Sequence, residues 1–196
     1  DIYGTLLPGG ARHQVVPGFS LGAQTDAEAN GAPGILAGGD DTAGADDEDG
    51  MMALHLPVKG VVAWQRGSWT QILVDVKLPG VLDEAGLDMW ADWNVNGNFA
   101  DPGERLLANF RVKELGPNQA DGLGVHPLGV FVPAHAAAAV PVRVRLSQNG
   151  VAAHNGDGGP GEVEDYVIAT VAPSPATGTA AHERDGQVWI TWDYDP

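Results

Sequence analysis

Apolar and polar side chains trade places at every second position through most of residues 51–171, the period of a strand whose two faces meet different surroundings. In 54–58, Leu54, Leu56 and Val58 alternate with His55 and Pro57; in 69–77, Ile72, Val74 and Val76 share one face and Leu73, Asp75 and Lys77 the other. Leu87, Met89 and Ala91 alternate with Asp88, Trp90 and Asp92, and further strands are expected over 106–113 and 126–132. The clearest run is 141–147, where Val142, Val144 and Leu146 are expected to point inward and Arg143 and Arg145 outward. Runs at 163–171 and 187–194 complete the set. Residues 134–139 have room for one helical turn between Pro133 and Pro141, and no segment carries a convincing amphipathic helix. The pattern predicts an all-β chain, a β-sandwich or jelly-roll-like fold with long loops and an irregular N-terminal arm.

That arm is residues 1–50, rich in Gly, Ala and Pro, with strand character only over 15–21. From Asp26 it turns acidic: Glu28 follows, then Asp40, Asp41, Asp46, Asp47, Glu48 and Asp49. So long an irregular stretch is uncommon in a compact domain unless it is functional or disordered, and bound cations would order it. At the other end, 173–178 breaks the composition and reads as a linker. The expected division is therefore one domain over 1–172, followed by 173–196 as linker and a strand. A single strand does not fold alone, so 187–194 must pair with 51–171, with another copy or with a following module.

The stretch with most chemistry is 92–104. Oxygen-bearing side chains recur at alternate positions, Asp92, Asn94, Asn96 and Asn98, with Gly97 at a sharp turn and Asp101 and Glu104 after it. A hard cation such as Ca2+ takes six to eight oxygens at about 2.3–2.6 Å, and a wound loop with this spacing converges such donors. The spacing is close to the helix-flanked calcium loop but departs from it twice. Glu104 comes one residue late, and the loop leaves a strand. A polar hairpin loop is the alternative, since Asn and Gly are ordinary turn residues.

Composition sharpens this. The 196 residues carry 26 acidic and 10 basic side chains, a formal net charge of −16. Such a chain repels nucleic acid and anionic membranes and favours cations as partners. There is no cysteine, so stability rests on core or metal ions, and the 43% hydrophobic content is enough for a core. No apolar run is long enough to span a bilayer. No leader precedes Asp1, which reads as the start of a mature or excised segment.

Two more acidic groups stand out. The run at 40–50 repels itself unless neutralised, which makes Asp40, Asp41, Asp46, Asp47 and Asp49 candidate cation ligands beside a plain solvated loop. At the start of the 163–171 strand, alternation puts Glu162 and Glu164 on one face and Val163, expected in the core, with Asp165 on the other. A buried Asp165 needs a partner, for which Arg12, Arg143, Arg145 or a calcium ion shared with Glu164 and the acidic arm are candidates. None of the six histidines stands in a zinc-protease spacing. Gly18-Phe-Ser20-Leu-Gly22 matches the nucleophile-elbow string without its strand and helix, and 156–161 matches a dinucleotide loop by letters alone. Among the tryptophans, Trp90 faces away from Leu87, Met89 and Ala91 and is the candidate for exposure and sugar stacking.

The hexapeptide Gly161-Glu-Val-Glu-Asp-Tyr166 resembles the signature that gives the GEVED domain its name. Gly10-Ala-Arg-His13, Leu21-Gly22, Asp26-Ala-Glu28, Gly39-Asp-Asp41 and Asp46-Asp-Glu-Asp-Gly50 are similar to the family's N-terminal half. Residues 90–97 with 101–104, and 142–146, are similar to its centre and to the strand before the signature. The resemblance spans about residues 3–171. It implies an extracellular bacterial β-sandwich, calcium-stabilised, serving as an accessory or adhesive module and not as an enzyme. Asn96 stands where such loops more usually carry Asp, which removes a charge and weakens the site. Residues after Pro173 resemble the opening strands of a fibronectin type III domain. The expected role is thus a non-catalytic, calcium-binding structural or adhesive module of a secreted or surface protein. Two alternatives stay open: a filament subunit that donates the 187–194 strand to another copy, and a module that binds surface glycans.

Overall fold

A computed structural model of the chain describes residues 3–23, 25, 49–54, 63–116, 124–173, 177–184 and 187–193, with backbone alone at 52–54, 177–184 and 187–193. Among the described residues thirteen strands run in order: β1 (Arg12–Gln14), β2 (Ser20–Leu21), β3 (Met51–Leu54), β4 (Trp64–Gln65), β5 (Ser68–Val74), β6 (Val76–Lys77), β7 (Ala85–Ala91), β8 (Arg105–Val112), β9 (His126–Val132), β10 (Ala139–Ser147), β11 (Asp157–Val171), β12 (Thr177–Arg184) and β13 (Gln187–Asp193). The described residues contain no helix, so the all-β expectation holds; residues 134–138 form a turn and a short loop that lead into β10, which takes up Ala139.

The largest sheet runs β1-β11-β10-β7-β8. Its centre is antiparallel, with Val144 opposite Glu164 on one side and Met89 on the other. β1 and β4 lie parallel to β11 near its two ends. A second, antiparallel sheet runs β3-β5-β9, and β2 pairs with β6. One apolar cluster draws on both larger sheets: Leu87, Met89, Ala91, Val140, Val142, Val144 and Leu146 from one, Ile72, Val74, Leu128, Val130 and Val132 from the other, with Trp64 and Trp93 among them. Alternation read these inward faces correctly.

It misread the opposite face of the six-stranded sheet. Arg143 and Arg145, expected outward, are wholly buried. Residues 3–14 and the loop before β11 form a second layer over them. Arg143 donates to the carbonyls of Tyr3 (2.9 Å) and His154 (3.0 Å). Arg145 donates to those of Ala153, Asn155, Arg12 and Gly156 and to His13 Nε2. The arm is thus partly regular: β1 extends the sheet, and Phe19 and Leu21 reach the core. Most of residues 24–48 lie outside the described set.

The C-terminal strand also differs from expectation. β13 has its partner in the chain itself, pairing antiparallel with β12, with His182 opposite Trp189 and Ala181 opposite Ile190. β12 begins at Thr177, inside the stretch read as linker. Its Thr, Ala, His and Glu residues lack the apolar alternation that marked β13, which is why it was missed.

Candidate functional site

The 92–104 loop joins β7 to β8 and is anchored on both sides of the sheet. Trp93 sinks into the main core, 6.2 Å from Trp64 between ring centroids, and its Nε1 donates to Gly103 O at 3.1 Å. Phe99 enters the second cluster with Tyr3 and Trp90, and the Arg143 guanidinium lies over its ring. Each buried aromatic contributes about 1.5–3 kcal/mol, enough to hold a polar loop in one shape.

Between these anchors the side chains interlock. Asp92 is fully buried; Oδ1 accepts from Asn96 N–H (3.2 Å), and Oδ2 from Gly97 N–H (2.9 Å) and Tyr3 Oη (3.0 Å). Burial and Asp92 together raise the Tyr3 hydroxyl's pKa, so it remains a donor. Asp101 Oδ2 is where the loop converges: it accepts from Asn94 Nδ2 at 2.8 Å and Asn96 Nδ2 at 2.7 Å. Asn98 turns instead to Asn96 and to the Ala100 N–H. Gly97 adopts φ 90° and Val95 φ 55°, a conformation in which a β-branched residue is strained.

Glu104 closes the loop. It is 2% exposed; Oε2 accepts from Asp101 N–H at 3.0 Å, while Oε1 is buried without a hydrogen-bond partner among the described residues. Burial pushes its pKa up to about 7, Asp92 and Asp101 add to the rise, and the main-chain amides of Asp101 and Trp93 work against it. Among the described residues no three His, Cys, Asp or Glu side chains group as a metal centre. The convergence is instead mixed: carboxylates meet amides that turn their nitrogens to Asp101, while the Asn94 and Asn96 oxygens, hard donors by type, accept from the Asn96 and Asn98 N–H groups. The residues fit a calcium ion in donor type and in the orphaned Glu104 oxygen.

The other candidates are dispersed. Asp165 is held by Arg143 through two bonds, 2.7 and 2.6 Å, as structural pairing predicts. Glu162 and Glu164, expected opposite the core face, are buried, whereas Val163 is half-buried, so the face assignment of β11 is reversed. Both glutamates secure the arm: Glu162 accepts from Leu21 N–H, and Glu164 from Gly50 N–H (3.3 Å) and Tyr166 Oη. Burial, with Glu162 beside it, raises Glu164 to about 9. Asp49 accepts from Ala23 N–H at 3.0 Å. Asp40, Asp41, Asp46 and Asp47 lie outside the described residues. Trp90 is 2% exposed under the second layer, with Arg105 5.3 Å from its ring centre, so it is no sugar platform. Sequence reasoning also missed the ion pair of the buried Asp88 with the exposed Arg105 (2.6 Å), in which Asp88 further accepts from Asn109 and Val151 N–H.

The molecule is therefore a β module whose most elaborate loop closes on a buried, half-satisfied carboxylate. Residues 86–169 match the family model of the GEVED domain. The match runs from β7 through the loop to β11 and includes the 161–166 signature; the N-terminal motifs precede it. No curated protein matches the chain. No described helix is long and apolar enough to cross a membrane.

Proposed function

We propose that the chain is a non-catalytic, calcium-stabilised structural or adhesive module of a secreted or surface protein, its two larger sheets packed as a sandwich. The sandwich is supported by the single apolar cluster that draws on both sheets. The calcium reading is carried by Glu104, a buried carboxylate with one oxygen unmatched. A buried acceptor without a partner costs about 1–3 kcal/mol, more when charged. A divalent cation removes that cost by neutralising the group, and the carboxylates of Glu104, Asp101 and Asp92 with the amides of Asn94 and Asn96 would hold it. The loop then stiffens between its Trp93 and Phe99 anchors. Extracellular modules of this kind work at Kd values of about 10⁻⁴–10⁻³ M, which suits calcium outside the cell.

The test is thermal melting in EDTA and in excess CaCl2, with a metal count on the purified protein. A hundredfold excess over Kd contributes about 2.7 kcal/mol, or roughly 5–11 °C for a chain of this size. Glu104→Gln should fold and lose most of the shift. A melt identical in EDTA and calcium, with no metal bound, refutes the reading.

A further inference from the structure

The outer face of β5 and β9 carries two aromatic side chains in solvent: Trp69 is 73% exposed and Phe131 46%. They are direct cross-strand neighbours, their ring centroids 5.7 Å apart at 62°, so the Phe131 edge contact orients the indole. The indole lies beside Gly129, where a Cβ would meet Trp69 Cε3 at 3.6 Å and Cζ3 at 3.8 Å in ordinary contact. Gln71, opposite Gly129 and on the same face as Trp69, is exposed beside the ring. Within 68–74 and 126–132 there is no acidic or basic side chain other than His126.

This is a flat, oriented π face with a neutral amide at its side, on a strand pair free of fixed charge. Pyranose rings present an apolar face of C–H groups rimmed by hydroxyls; the first stacks on an aromatic ring and the second exchanges hydrogen bonds with an amide. Among the described residues the patch is too small for a standard protein interface. Two aromatics contribute about 150–250 Å² each, against about 800 Å² per partner in such an interface. A net charge of −16 disfavours uronic, sialylated, sulfated or phosphorylated partners. We propose that Trp69, Phe131 and Gln71 form a binding platform for a hexopyranose unit of an uncharged polysaccharide. The platform lies on the three-stranded sheet, away from the β7–β8 loop, and does not depend on the calcium reading.

Affinity electrophoresis of the full chain through gels containing hydroxyethylcellulose, laminarin, galactomannan or soluble starch tests this, with and without EDTA. At least one polysaccharide should retard the wild type in both buffers. Trp69→Ala should weaken retardation about tenfold or more, as truncation of a central aromatic anchor does. Trp69→Phe and Gln71→Ala should be intermediate, and Val81→Ala, at a fully solvated residue elsewhere, unchanged. Sedimentation is run in parallel. No retardation in any gel, or equal retardation of Trp69→Ala, overturns the proposal. Trp69-dependent dimers without retardation also overturn it, in favour of self-association.

Discussion

At the scale of single residues, the 92–104 loop concentrates its strain at two neighbouring positions. Gly97 at φ 90° donates its N–H to Asp92 and sits in the left-handed region where a Cβ is costly. Gly97→Ala should therefore lower stability by about 1–3 kcal/mol even in chelator, read as a fall in the urea midpoint. Val95→Asn, which suits φ 55° better than a β-branched side chain does, should cost less than Gly97→Ala. If Gly97→Ala is as stable as the wild type without metal, the loop does not have this shape. The turn at Gly97 was legible in the spacing, whereas the bonds by which Asn94 and Asn96 turn their nitrogens to Asp101 were not. The roles of Trp93 and Phe99 were not, because spacing of oxygens says nothing about which apolar residues fasten a loop. The exposure expected of Trp90 fails for a related reason. Alternation shows that Trp90 faces away from the core, but not that residues 3–14 and the 148–156 loop roof β7.

At the scale of elements, β10 and β11 show how a second layer changes the meaning of an alternating strand. The in-and-out pattern of Val142, Arg143, Val144, Arg145 and Leu146 is real, yet its polar side is dry. Arg143 is neutralised by Asp165, whereas Arg145 is held by carbonyls and by His13. Charges buried this way need every donor satisfied, so β1 and the 153–156 segment are required for β10 to exist in its present form. His13 makes this measurable. Burial, and then Arg145, lower its pKa to about 3, and the imidazole accepts from Arg145 only while neutral. Its folded value lies below the unfolded value near 6.5, so the unfolded chain binds the extra proton, and stability falls as pH drops from about 6.5 toward 3. With partial exposure the slope is at most about 1.4 kcal/mol per pH unit. Glu104 and Glu164 slope the other way over part of this range, because their folded pKa values are raised. The comparison is therefore between the wild type and His13→Gln: the variant should lose less stability between pH 7 and pH 4.5 in urea melts. Parallel curves would mean that His13 is free to protonate in the fold. Arg143 was among the partners expected for Asp165, but the seat of Arg145 against His13 could not be read along one strand, since residues 12–14, 143–145 and 157–165 meet only through topology.

At the scale of the whole molecule, the question is which parts depend on which. Among the residues whose side chains are described, the buried members of the main apolar cluster lie between Phe19 and Ile168, and β12 and β13 pair with each other in a two-stranded sheet. Pairing within the chain removes the reason for expecting β13 to seek another copy, although isolated hairpins are themselves marginal. A chain ending at Pro173 should therefore unfold cooperatively, stay monomeric and lose less than about 1 kcal/mol, a shift within roughly 2–4 °C in Tm. Its calcium response and its retardation by polysaccharide should survive, because the 92–104 loop and the Trp69 platform are both retained. A truncated chain that fails to fold would show that the hairpin is part of the body's core. A full chain that polymerises while the truncated one does not would return strand exchange to consideration, with the β12–β13 pairing as the contact that opens. The two binding surfaces are on different sheets, so truncation, metal removal and Trp69→Ala should act independently and their effects on stability should add within about 0.5 kcal/mol.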